Sequence, residues 1–296
     1  MRISILAESG VLAVKVVMMP PLFGFRLRPL PEIVQNWQTA DYDVRNYLKG
    51  WFWLTDGWHW LATPDGDVPL NNPEFNAAFA LPLDLDPHLD YQVARFWMDI
   101  EEILPDILEP LPEDFARAVA SGAWAAWWAS VQAWWAKVPD DDPLLELHWD
   151  ARVQSAGWWD ARHLDMGYLV APPAFRFWRV GDTVTLTWDT REKRVDGALC
   201  WVEMQGQTTL SVGEFLAEIE DFRVRLDTAM RERLREVEVL GLLDAAALAS
   251  LQRQHDLTLF TDPRPPEQPD WNGVLTAIQT LEAGSGILLG SEQPGR

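Results

Sequence analysis

Apolar residues recur along this chain with two different periods, and each period predicts one kind of element. Trp124, Trp127, Trp128, Val131, Trp134, Trp135 and Val138 follow one another at helical steps, so they form one continuous stripe. Pro112 sits at the first turn of that helix, with Glu113 and Asp114 complementing its dipole. The opposite face carries Ala125, Ala126, Ala129, Ala133 and Ala136, smooth enough for another helix to approach. A second long helix is predicted after Ser211, where Ser211 and Glu214 match a capping box. Phe215, Ile219, Phe222, Leu226, Met230 and Val237 form its stripe. Its carboxylates come early and Arg225, Arg231, Arg233 and Arg235 late, which the helix dipole favours, so the Arg cluster needs no anionic ligand. Further helices are predicted over 91–104, capped by Asp90 and stopped or kinked at Pro105, and over 149–164, 244–255 and 272–282.

The period of two predicts strands. In FRFWRVGDTVTLTWD a turn at Gly181-Asp182 puts Phe175, Phe177, Val184, Leu186 and Trp188 on one face. Arg176, Thr183, Thr185 and Thr187 take the other face, with Trp178. A second hairpin, 199–204 with 207–210 around Gln205-Gly206, completes a four-stranded antiparallel meander. WFWLTDGWHW, residues 51–60, reads as another hairpin about Asp56-Gly57, with Trp53 opposite Trp60 and both faces apolar, hence buried between layers. FRLRPL, residues 25–30, reads as a short strand with Phe25 and Leu27 inward, and a further strand is expected at Gly167-Tyr168-Leu169. The stretch 32–50 is mixed and polar. Residues 63–87, with five prolines, read as a long irregular loop and one rim of a binding site.

These elements define an α+β fold in which an antiparallel sheet built from hairpins (51–62 and 174–211) packs against several Trp-rich amphipathic helices. Residues 22–260 are expected to form a single α+β domain. Residues 1–21 are an N-terminal extension, and 261–296 hold a Pro-rich link, a short helix and a mobile tail. The apolar run at 11–19 is interrupted by Lys15 and lacks the charged start and cleavage site of a signal peptide. It is too short to span a bilayer. It reads as an additional strand or as an extension upstream of a start at Met18 or Met19, with the second preferred.

Charge narrows the classes of partner. The formal net charge is -21, and residues 51–150 hold 19 acidic against 3 basic residues. Such a surface repels a phosphate backbone, which argues against nucleic acid, and attracts a basic protein; surplus acid also keeps a chain with 18 Trp soluble. Cys200 is the single cysteine and alternates with Val202 and Met204, the pattern of a buried thiol. That excludes an intramolecular disulfide and a cysteine metal cluster, and makes the cytoplasm the expected compartment. No membrane association is expected.

Candidate chemistry is sparse. There is no glycine-rich phosphate loop, GxSxG elbow, HExxH, paired CxxC or acidic calcium loop, and the five His are scattered. His88 with Asp84, Asp86 and Asp90 is the one metal set the spacing permits, and a Pro-rich loop explains it equally well, so neither metal nor cofactor is expected. Cys200 is not read as a nucleophile, and His163 near a helix end is read as structural. Asp99, Glu102 and Asp106 fall on one helical face if the helix passes Pro105; they form a solvated acidic surface or, alternatively, an Asp99–Glu102 carboxylate pair. The other candidate binding residues are Thr55, Asp56 and Trp58 at the turn end of the 51–60 segment, and Trp178 and Trp58 as exposed rings for a ligand.

The ordered blocks FRLRPL, WFWLTDGWHW, DYQVARFWMDIEEILPDILEPLP, WWDARHLDMGYL, FRFWRVGDTVTLTWD and SVGEFLAEIEDF resemble an uncharacterised bacterial, largely actinobacterial, family of proteins of unknown function. The resemblance covers about residues 22–256. It implies no known activity, cofactor or catalytic residue. The expected function is a non-catalytic acidic domain that binds a basic protein partner, as an immunity or antitoxin-like inhibitor does. A small-molecule or glycan binder using exposed Trp is the alternative, and an enzyme using Asp99 and Glu102 the third reading.

Overall fold

The computed structural model describes residues 2–4, 17–40, 43–81, 85–260 and 268–289. In chain order it holds β1 (Arg2–Ser4), β2 (Val17–Met19), β3 (Phe23–Leu27), α1 (Leu30–Thr39), α2 (Val44–Leu48), a 3-10 turn (Phe52–Thr55), β4 (Asp56–Thr63), β5 (Gly66–Val68), α3 (Pro73–Ala78), β6 (Leu89–Gln92) and α4 (Val93–Leu108). Then come α5 (Glu113–Ala120), α6 (Ala123–Trp135), α7 (Leu145–Asp160), β7 (Ala174–Val180), β8 (Thr183–Asp189), β9 (Arg194–Val195), β10 (Ala198–Leu199), β11 (Gln205–Ser211), α8 (Val212–Leu240), α9 (Ala245–Phe260) and α10 (Trp271–Ser285). The fold is α+β, with antiparallel sheets and Trp-rich helices. The described residues gather into two compact units, one from the segments up to 102, 164–175 and 186–260, the other from 103–163, 176–185 and 268–289.

In the first unit β4 is the central strand, paired antiparallel with β3 on one edge and with β5 and β6 on the other. This overturns the hairpin expected at 51–62. Asp56 has φ -53°, outside the left-handed region that a tight Asp-Gly turn needs. Gly57 lies within the strand, paired with Leu27 and Tyr91, and a Cβ there would fall 2.2 Å from the Arg26 carbonyl oxygen. The glycine therefore marks close backbone approach in a central strand. Trp53 belongs to the 3-10 turn and is 42% exposed, so it does not lie buried opposite Trp60. Trp51 is the anchor instead: it is 2% exposed, its amide donates to Gln254 Oε1 and its indole N–H to His255 Nδ1. His255 in turn lies 2.8 Å from Asp227 Oδ1.

The stretches read as irregular or mixed hold regular elements among their described residues. Pro64-Asp65 turns β4 into β5, and Asn72 caps α3 by accepting from the Glu74 amide. Residues 32–50 contain most of α1 and all of α2. The strand read from FRLRPL ends at Leu27, and Leu30 opens α1. Of the apolar N-terminal run, Val17–Met19 forms β2, paired with β1, and its earlier residues lie outside the described ones.

α8 matches its predicted cap and stripe but runs on to Leu240, so the Arg residues read as complementing its end all precede a last turn that holds no basic residue. The Ser211–Glu214 capping box is present, and all six residues of the apolar stripe are buried. Phe222 and Phe215 pack on Phe23 of β3 at 5.7 and 6.3 Å between ring centroids, and Phe96 of α4 joins them at 6.0 Å from Phe23. α9 covers the predicted 244–255 helix and extends it to Phe260.

β7 and β8 form the predicted hairpin, with Phe175, Phe177, Val184, Leu186 and Trp188 all buried. The four-stranded meander does not form. The strand order is β11-β8-β7, and the second hairpin is β9–β10 about Asp196-Gly197, where φ is 47° and 86°. Gly206 lies inside β11, where a Cβ would meet the Trp188 ring at 2.4 Å.

In the second unit the single Trp-bearing helix becomes two. Ser121 closes α5, and Gly122 at φ 77° opens α6. Trp124, Trp127 and Val131 are buried with Phe115, Trp158 and Trp178, and with Val274, Ala277, Ile278 and Leu281 of α10. α10 is thus a core element, longer than the predicted 272–282, and residues 290–296 of the expected mobile tail, like 261–267 of the Pro-rich link, lie outside the described ones. The five Ala of the opposite α6 face are exposed. α7 ends at Asp160, four residues before its predicted end, and His163 forms an isolated bridge with Arg176. Gly167–Leu169, placed in the first unit, is turn rather than strand. Among the described residues no helix is long and apolar enough to cross a membrane.

Candidate functional site

Thr55, Asp56, Trp58, Asp99, Glu102 and Trp178 all lie among the described residues. Thr55 is fully buried; its hydroxyl donates to the Phe52 carbonyl at 2.7 Å and accepts from the Ala94 amide at 3.1 Å. It therefore satisfies one of the orphan N–H groups at the start of α4, which begins at Val93 and not at the expected Tyr91. Pro105 lies inside that helix without ending it.

Trp58 and Trp60 stand on the outer face of the first unit's sheet. Arg26 pairs with Trp58 across β3–β4, and the guanidinium carbons of Arg26 and Arg28 lie 4.6 and 4.4 Å from the Trp58 ring centroid. Arg28 is held by Asp56 at 3.1 Å and Asp90 at 2.6 Å, and Arg26 by Asp86. His88 stacks on Trp60 at 3.9 Å, with its ring nitrogens 2.7 Å from Asp86 and 3.1 Å from Asp67. Gly24 makes room for Trp60, since a Cβ there would meet the indole at 2.2 Å. The Asp56 carboxyl is pushed up by burial, against the pull of Arg28. Arg26, Arg28, Asp56, Asp67, Asp86 and Asp90 are thus each engaged within the chain.

Asp99 and Glu102 do not form a carboxylate pair in a cleft. Asp99 is 1% exposed, whereas Glu102 is exposed. Arg95 Nε lies 2.7 Å from Asp99, and the Arg95 guanidinium lies over the Tyr168 ring at 5.4 Å. Tyr91 stacks on Tyr168 at 4.3 Å. Burial raises the Asp99 carboxyl to about 7; Arg95 opposes the rise, and Asp165 and Glu102 add to it. Burial also raises Glu101 to about 7.

Trp178 is 7% exposed and packs at 5.6 Å on Trp159 within the second unit's core, so it is not an exposed ring awaiting a ligand. The exposed indoles are Trp53 and, at 49%, Trp149. Cys200 is buried, and burial pushes its thiol up. Among the described residues no three His, Cys, Asp or Glu are placed to hold a metal, and Asp84 lies outside them.

One concavity was not anticipated. It is a groove of about 660 Å³ in the first unit, between α1 and the end of α8. Leu30, Pro31 and Val34 form one wall, Val239 and Leu240 the other, with Gln35, Gln38, Glu232, Arg235 and Glu236 along the lining. Val239 is 86% exposed and Leu240 44%. A smaller concavity of about 240 Å³ lies between α8 and α9. The signal for α1 was readable in the i,i+4 pairs Leu30–Val34 and Ile33–Trp37. Val239 and Leu240 lie beyond the α8 stripe, whose buried residues end at Val237.

The fold and this groove define an α+β protein in which most Trp serve packing and a helix-flanked surface is left open. Residues 22–277 match the model of a family of unknown function, DUF5984, and the chain belongs to that family. No curated protein and no solved structure matches it.

Proposed function

We propose that the protein is a non-catalytic, acidic, cytoplasmic binding domain for a basic protein partner, in the manner of an immunity or antitoxin-like inhibitor. The observation that carries this reading is the α1–α8 groove: apolar walls stand open to solvent on a chain of net charge -21. Charge of one sign steers an oppositely charged partner and speeds encounter, while apolar walls hold it once docked. By contrast, the charges on the sheet face are engaged with one another. The test is capture on the full chain from native lysate at low and raised salt, identification of the captured protein, and titration with that protein purified. A basic protein whose affinity falls as salt rises supports the reading; neutral or acidic proteins alone, or salt-independent binding, refute it.

A second reading has its own support, because about 660 Å³ is also the size of a small-molecule site. A rise in melting temperature with an apolar compound, lost on substituting Val34, would favour it.

A further inference from the structure

We propose that the α1–α8 groove receives an amphipathic helix of the partner, oriented so that a Lys or Arg side chain meets the carboxyl end of α8. The proposal rests on the reading of a basic partner and adds where it docks and how it is turned. On α8 the lining residues Glu232, Arg235, Glu236, Val239 and Leu240 fall at i, i+3, i+4, i+7 and i+8, one face of two helical turns. On α1, Leu30, Val34 and Gln38 recur every four residues. Two such ridges flank a trough that another helix can fill with apolar residues spaced at three and four. Val239, almost wholly exposed, is the residue such a helix would cover.

The orientation follows from charge. The carboxyl end of a helix carries about half a negative charge, which nearby basic residues normally offset. α8 has no basic residue in its last turn, which instead contains Glu238. Arg233, one turn earlier, is turned inward, donating to the Leu54 and Arg28 carbonyls at 2.9 and 2.6 Å and pairing with Glu236 at 3.2 Å. Arg235 is the one cation on the lining, against Glu232 and Glu236. The last turn of α8 thus has no offsetting charge of its own, and a Lys or Arg of the docked helix would supply one.

The test uses the full chain and fluorescent designed peptides of about 18 residues, long enough to form a helix on docking. One is an amphipathic Leu-faced helix with Lys flanks, one has the same Leu face with Glu flanks, and one is the Lys peptide scrambled to destroy its apolar face. The expected result is binding of the first alone, weakened about 30-fold by the double substitution Val239→Lys and Leu240→Lys, as expected for lost apolar contact plus repulsion. Both positions are exposed, so the variant folds, and Val34→Lys on the facing wall gives an independent check. Equal binding of the scrambled peptide would overturn the groove while leaving a basic partner in place. Equal binding of the Glu peptide would overturn the orientation. Failure of every Lys-rich probe and every basic protein would overturn the parent reading as well. Salt-insensitive dimerisation abolished by the double substitution would show that the groove's occupant is a second copy, overturning the proposal.

Discussion

Replacing His59 with leucine should stabilise the protein, and the gain should grow as pH falls. His59 is fully buried in β4, stacked on Phe96 at 4.5 Å, and neither ring nitrogen has a hydrogen-bond partner. Two orphaned buried nitrogens cost about 1–3 kcal/mol, of which imperfect fit of the new side chain takes back about 1 kcal/mol. Burial also depresses the imidazole to about 3. Between its unfolded value and that figure the unfolded chain takes up a proton that the folded chain refuses, so stability is lost as pH falls. From pH 7 to pH 5 this loss is about 2 kcal/mol, and His59→Leu removes it. Asp99 and Glu101 act in the opposite sense: their raised carboxyls keep protons in the folded state, favouring it as pH falls from 7 towards 4. Both are present in wild type and variant, so they cancel in the difference. Urea unfolding at pH 7 and pH 5, followed by Trp fluorescence, measures the gap. A gap that stays constant would show that the folded His59 titrates normally, and the burial argument would fail.

Other substitutions test particular placements by the same assay. Trp51→Ala should cost about 3–5 kcal/mol and Trp53→Ala about 1 kcal/mol or less, since one ring is buried and hydrogen-bonded and the other half in water; equal costs would contradict this assignment. Asp99→Asn should gain stability relative to wild type as pH rises from 4 through 7, because in wild type the unfolded chain sheds the Asp99 proton that the folded chain keeps; a gap that shrinks with rising pH would count against it. Arg162, fully buried and donating to the Trp158 and Glu109 carbonyls at 2.6 and 3.1 Å, should cost about 2–4 kcal/mol when replaced by alanine, and a neutral effect would show the carbonyls find other donors. Ser211→Ala should cost about 1 kcal/mol through loss of the α8 cap, measured by the same unfolding curve.

What the sequence revealed depended on whether one physical cause dominated each stretch. The α8 stripe and the β7–β8 hairpin were legible because a single period, a cap and a turn all agreed. The Asp-Gly dipeptide was ambiguous. At Asp196-Gly197 it makes the left-handed turn its chemistry favours, while at Asp56-Gly57 the glycine is needed because the neighbouring strand's backbone leaves no room for a side chain. That distinction depends on β3, some thirty residues away in sequence, and no local pattern carries it. Trp58 and Trp60 share one face of β4, but their Arg and His partners come from β3, from Arg28 just after it, and from the segment before β6. The groove was illegible for a related reason: α1 is short, and the exposed Val239 and Leu240 lie outside the stripe that marks the buried face of α8.

Hydrogen–deuterium exchange of the full chain, with and without the Lys-flanked amphipathic peptide, tests the central claim most directly. The account predicts added protection in residues 30–38 and 232–240, the two walls of the groove. Protection confined to the Trp58–Trp60 face of the sheet, with both walls unchanged, would contradict it.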